Sequence, residues 1–207
     1  MNLFGNSPSK SPVMLYTEQT PNPESLKFVS NRMLYPNNTA DFREASSVGE
    51  WSPLAAKLFE KPFVKGVYVC NNFVTITKEF NYEWNDIMMD VKVFLKQYIE
   101  EGGEIIREGY EEAKLELSAK RQMEQYSGED AEIVTKIRNL IDTYVRPAVE
   151  MDGGNIEFQS FESGVVHVLL QGSCSGCPSS TVTLKQGIEG MLKRMVPEVV
   201  SVEAAMG

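Results

Sequence analysis

Cysteine and histidine are scarce in this chain: 207 residues hold Cys70, Cys174, Cys177 and the single His167. Three cysteines are too few for a disulfide framework, so an apolar core must carry the fold. The apolar fraction of 42% is ordinary for globular proteins and is enough to build one. No apolar run nears the roughly 18–20 residues of a membrane-spanning helix, and no membrane partner is expected. The opening MNLFGNSPSKSPV has no basic region leading into an apolar stretch, which argues against a secretory signal. It is also poor in arginine, which argues against a mitochondrial presequence. The expected setting is cytoplasmic, where thiols stay reduced.

Positive charge is also in short supply. The formal net charge is −9, and it is unevenly spread. Residues 1–99 hold ten acids and ten bases, residues 100–128 eight and four, and residues 129–207 eleven and six. An acidic chain without a basic patch is a poor partner for nucleic acid, and that class of function is set aside.

What is present divides the chain into two small α+β domains joined by a charged, partly helical linker. In residues 13–99, VMLYTE and SLKFV read as strands around the turn QTPNPE. WSPLAAKLFE reads as a short helix capped by Ser52, with Pro53 in its first turn. PFVKGVYVC and FVTITK flank a hairpin turn at Asn71 and Asn72. Trp84, Ile87, Met88, Val91, Leu95 and Tyr98 recur at helical spacing. Residues 100–128 are glycine-broken and acidic, and read as the linker. Residues 129–207 predict the order α-β-β-α-β. A helix presents Ile133, Val134, Ile137, Leu140, Ile141, Tyr144 and Val145 on one face and stops at Pro147. Two strands, NIEFQSF and VVHVLLQ, come next, then a cysteine loop, a helix from Pro178 and a last strand in VVSVEA.

That loop, GSCSGCPSS, carries Cys174 and Cys177 between a strand end and a helix start. Backbone N–H groups at a helix N-terminus lack intrahelical partners and favour a thiolate. No charged side chain falls between Gln171 and Leu184, and the glycines and serines let backbone approach a bulky centre. Simple packing of two small residues sits poorly with so polar a loop. A thiol–disulfide oxidoreductase would want the same pair at a helix start, but also a longer parallel-sheet framework. A zinc-binding interaction module or an iron–sulfur cluster wants four protein ligands, and one CxxC supplies two. His167 lies within a strand, and Cys70 lies at the N-terminal hairpin with a structural role. Two copies of the loop, meeting across a two-fold axis, would bring four thiolates to one centre.

At larger scale the residues carry a resemblance. VRPAVEMDGGNIEF, followed by VVHVLLQGSCSGCPSSTVTLKQGIEGMLKRMVPEV, closely resembles the C-terminal domain of NifU-like (Nfu) iron–sulfur cluster carriers. TEQTPNPESLKF, SPLAAKLFE and GVYVCNNFVTITK resemble the N-terminal domain of the two-domain members. The resemblance implies that Cys174 and Cys177 ligate a cluster, usually 4Fe–4S, bridged between two subunits. It implies a homodimer when the cluster is bound, an upstream assembly scaffold as source and apo iron–sulfur proteins as recipients. No turnover of a small-molecule substrate is implied. The N-terminal half lacks the cysteine set of the U-type assembly scaffold, which argues against primary assembly on this chain. Arg146, Pro147, Asp152, Gly153 and Gly154 match the family pattern, and a sharp helix-to-strand turn accounts for them without further function.

Overall fold

Apolar and polar side chains alternate along the N-terminal strands, and the alternation decides which face of their sheet is covered by helices. The computed structural model of the protein describes residues 12–114, 129–175 and 178–205. Strands β1 (Leu15–Gln19), β2 (Ser25–Ser30), β3 (Tyr35–Phe42), β4 (Val64–Asn71) and β5 (Phe73–Lys78) form an antiparallel sheet in the order β1-β2-β5-β4-β3. Leu26, Phe28, Val67, Val69, Val74 and Ile76 join one core with helices α2 (Pro53–Phe59) and α3 (Trp84–Glu100). A one-turn helix, α1 (Ala45–Val48), adds Val48 to it. Ser52 caps α2 as expected, accepting the Ala55 amide at 3.0 Å. The hairpin between β4 and β5 turns at Asn71, whose φ of 44° is one that asparagine tolerates.

Strand β3 has no counterpart among the expected strands. Its segment YPNNTADF begins with turn-forming residues, and Asn37 takes a φ of 59°. The register with β4 breaks between Tyr35 and Thr39, so the strand is an edge strand with a bulge. Only its second half, with Ala40 and Phe42 buried, follows strand periodicity.

Part of the acidic segment packs on this domain. Ile105, Ile106 and Tyr110 lie against the N-terminal core. The Arg107 amide donates to the Trp51 carbonyl at 2.8 Å, and Ser52 Oγ donates to the Ile105 carbonyl at 2.7 Å.

The C-terminal segment has the expected α+β order. Helix α4 (Glu129–Leu140), a π turn (Ile141–Val145) and α5 (Arg146–Met151) lead to β6 (Gly154–Glu162) and β7 (Val165–Gly172). Helix α6 (Pro178–Met195) then crosses to β8 (Ser201–Ala205). The sheet order is β6-β7-β8, with β6 antiparallel and β8 parallel to β7. Val134, Ile137, Ile141, Val149, Ile156, Val168, Ile188 and Leu192 build a second core.

The first helix does not stop at Pro147. The Arg146 amide reaches back five residues to the Ile141 carbonyl, and the wider turn makes room for a proline that has no N–H to donate. The extra residue rotates the apolar stripe, so Val145 is buried while Tyr144, expected on the core face, is 60% exposed. Among the described residues no helix is long and apolar enough to cross a membrane.

Candidate functional site

The cysteine loop leaves the central strand of the C-terminal sheet at Gly172, whose φ of 63° turns the chain out of β7. Three short contacts fix the loop beyond this turn. The Ser173 amide donates to the Gly153 carbonyl at 3.2 Å. Its hydroxyl donates to the Asp152 carbonyl, and the Ser175 hydroxyl donates back to the Gly172 carbonyl at 2.8 Å. The turn Asp152-Gly153-Gly154 therefore does more than join helix to strand: its backbone cradles the loop. Gly154 is required by space, because a Cβ there would lie 2.5 Å from the Gln171 carbonyl oxygen and 2.9 Å from Cys174 Sγ.

Cys174 is buried, packs at the edge of the C-terminal core and has Ser173 Oγ 3.8 Å from its sulfur. Cys177 lies outside the described residues. The other two sulfur and nitrogen candidates are elsewhere. Cys70 belongs to a separate apolar cluster with Val29, Tyr68 and Phe73, and burial pushes its thiol up to about 11. His167 pairs in register with Glu203 of β8, its Nδ1 3.8 Å from that carboxylate. Among the described residues no group of three or more His, Cys, Asp or Glu side chains could hold a metal ion.

A polar chain beneath the loop escaped sequence reasoning. Arg146 Nη1 donates to Asn155 Oδ1 at 2.9 Å, and Asn155 Nδ2 donates to Gln171 Oε1 at 2.8 Å. Asn155 and Gln171 are both buried. They tie the end of the π turn to both strands that carry the loop. The signal was present as an amide at the start of one strand and another at the end of the next, since a buried amide has to find partners.

The other side of the loop meets the N-terminal sheet. The face of that sheet turned away from α2 and α3 carries Lys27, Tyr68 and Thr75, all buried. Thr75 Oγ1 donates to the Gly153 carbonyl at 2.8 Å, and Lys27 Nζ donates to the Met151 carbonyl at 3.1 Å. Asp41 Oδ1 accepts the Gly172 amide at 3.3 Å, and Arg43 donates to the Leu170 carbonyl. Burial raises the Asp41 carboxyl above its ordinary range, against the lowering effect of the neighbouring Arg43.

Comparison with known proteins agrees with the resemblance in both halves. Residues 15–102 match the family described as "Scaffold protein Nfu/NifU N terminal", and residues 137–203 match the NifU-like domain. A protein of Drosophila persimilis named "NFU1 iron-sulfur cluster scaffold homolog, mitochondrial" is 40% identical over 199 residues, covering 96% of this chain and 67% of its own. The protein of the same name from Drosophila grimshawi is 42% identical over 190 residues, covering 91% and 60%. The chain thus spans about two thirds or less of the length of these relatives. A NifU-like protein from Saccharomyces cerevisiae, solved by NMR, is 24% identical, with a TM-score of 0.44, over 52% of this chain and 96% of its own. The relatives' names correct the cytoplasmic expectation, since they point to mitochondria. That expectation rested on the arginine-poor first residues, whereas the matched domains begin downstream of them, at residue 15. With both domains matched in order and a relative aligned along 96% of this chain, the chain belongs to the Nfu family of NifU-like proteins.

Proposed function

We propose that this protein carries an iron–sulfur cluster, of the 4Fe–4S type, shared between two copies of the chain and passed on to apo-proteins. The reading rests on family membership with relatives named as cluster scaffolds. The observation that carries it is the close approach of Gly154 to Cys174 Sγ, which a side chain at 154 would block, on a loop that leads into the start of α6. Cys174 and Cys177 are the proposed ligands, two from each chain. A cubane wants four protein ligands, and the ligand count of one chain favours a shared site.

Delivery on this reading is ligand exchange. Thiolates of the acceptor displace the four carrier thiolates one by one, each released sulfur remaining a thiolate or taking a proton from solvent. No electron moves, and no small molecule is turned over. A cluster at a junction between two copies is open on its flanks, which suits release better than enclosure in one core. The upstream donor would be an assembly scaffold, since the N-terminal half has Cys70 as its only cysteine.

Anaerobic reconstitution with iron and sulfide tests the reading. The wild type should turn brown, become dimeric and hold about two irons per chain, half of a four-iron cluster. Cys174→Ser and Cys177→Ser should each abolish iron retention and cluster-dependent dimerisation, with circular dichroism unchanged. Full iron content in Cys177→Ser would defeat the ligand assignment. A colourless protein that reduces a disulfide would instead identify a thiol–disulfide oxidoreductase.

A further inference from the structure

We infer that the outer face of the N-terminal sheet is a docking surface for the cysteine loop of its own chain, and that this closed form must open before two copies can share a cluster. The inference rests on the carrier reading. The hydrogen bonds between the halves are one-sided. Asn22, Lys27, Asp41, Arg43, Tyr68 and Thr75 of the N-terminal domain all use side-chain atoms. Their partners at residues 151–154 and 170–175 are all main-chain atoms. The sheet therefore recognises the shape of the loop and of the turn beneath it.

Two glycines make the fit. A Cβ at Gly153 would lie 3.0 Å from Thr75 Oγ1, and one at Gly172 would lie 2.9 Å from the Tyr68 ring. Both also hold positive φ, 83° and 63°, so each is a glycine for its backbone as well as for this close approach. The aliphatic stem of Lys27 lies on the same surface, its ammonium shared between Glu18 at 3.1 Å and the carbonyl of Met151.

The contact closes around Cys174 from both sides along the chain. Gly172, two residues before it, gives its amide to Asp41, and Ser175, directly after it, receives Asn22 Nδ2 at 3.4 Å. Cys174 itself is 7% exposed. A cluster shared between copies needs the thiolates of a second loop to reach the same cluster as those of the first. The second loop and the N-terminal sheet thus compete for the surroundings of one cysteine. The hydrogen bonds across the contact are ones that water can replace, and such junctions between domains open readily.

The test uses the full chain under anaerobic conditions, read by amide hydrogen exchange, small-angle scattering and iron content. In the apo wild type the amide of Gly172 should be protected and the two domains should scatter as one body. On reconstitution that protection should fall and the domains should separate as the dimer forms. Arg43→Ala should quicken cluster loading about tenfold, the shift in open population expected from losing the charged hydrogen bond to Leu170, and it also deprives Asp41 of its ion pair at 3.0 Å. Thr75→Val, which keeps shape and strand preference, is the second variant should the first unfold. If wild type and variants reach full iron content at one rate, with Gly172 protected throughout, the docking inference is overturned and the carrier reading stands. If none of them retains iron, the carrier reading falls and takes this inference with it.

Discussion

A methyl group at position 154 would have nowhere to go. It would meet the Gln171 carbonyl oxygen at 2.5 Å and Cys174 Sγ at 2.9 Å, and neither is the free end of a flexible side chain. Gly154→Ala must therefore displace β6 from β7 or push the cysteine outward. Overpacking of this kind costs about 1–3 kcal/mol, to be read from urea denaturation of the apo-protein. On the proposed function the same variant should also hold less iron after reconstitution, because its thiol has moved. Unchanged stability together with unchanged iron content would mean that the loop can yield without consequence. Cys70 offers the contrast. It sits in its own cluster with Val29, Tyr68 and Phe73, and Cys70→Ser should leave the iron content intact. Loss of iron there would mean that the two domains share the site.

At the scale of elements, the buried amides decide how firmly the loop is held. Asn155 accepts from Arg146 and donates to Gln171, so it joins the end of the π turn to both strands of the hairpin. Asn155→Ala would leave the buried Gln171 Oε1, and one N–H of the half-buried Arg146 guanidinium, without these bonds. The expected loss is about 1–3 kcal/mol, whereas the same truncation at an exposed strand position would cost little. Calorimetry on the variant checks this, and a melting temperature equal to wild type would show that water satisfies the pair. The elements themselves were unevenly legible. The stripe Ile87, Val91, Leu95 and Tyr98 announced α3 because burial on one face leaves a period in the sequence. Strand β3 left none, since its first half is Pro36, Asn37 and Asn38 and its pairing slips there. The π turn was hidden because proline reads as a stop, and only the tertiary structure reveals that one added residue lets the helix pass. At the site, Cys174 stood out by its spacing to a second cysteine. The surface that the neighbouring turn and loop backbone meets did not, because Lys27, Tyr68 and Thr75 alternate with apolar residues as any solvent-facing strand positions would. Nothing local says that their partner comes more than seventy residues later.

For the molecule as a whole, burial of weak acids between and beneath the halves sets a limit on alkaline stability. Burial pushes the Cys70 thiol up to about 11 and the Tyr110 phenol up to about 12. Burial, followed by the neighbouring Cys70, holds the Tyr68 phenol far above its ordinary range, and its hydroxyl faces the Gly154 carbonyl across the domain contact at 3.4 Å. In the unfolded chain the same groups ionise at ordinary values, 9.0 for the thiol and 10.0 for the phenols. A group whose pKa is raised by folding stabilises fully below its unfolded value, and that stabilisation is lost as pH climbs through the folded one. The melting temperature should therefore lose nothing to these groups up to about pH 9, then fall progressively toward pH 11 and beyond as the thiol and then the phenols cease to favour the folded state. Cys70→Ala should move the onset of the fall upward by about one unit, to where the phenols begin, because it removes the group with the lowest ordinary pKa of the three. Ultraviolet titration near the phenolate band should show the buried tyrosines ionising together with unfolding and not ahead of it. A melting temperature that holds level to about pH 10.5, or phenolate formation in the intact fold at ordinary pH, would contradict the burial of Tyr68 and Cys70 on the face where the two domains meet.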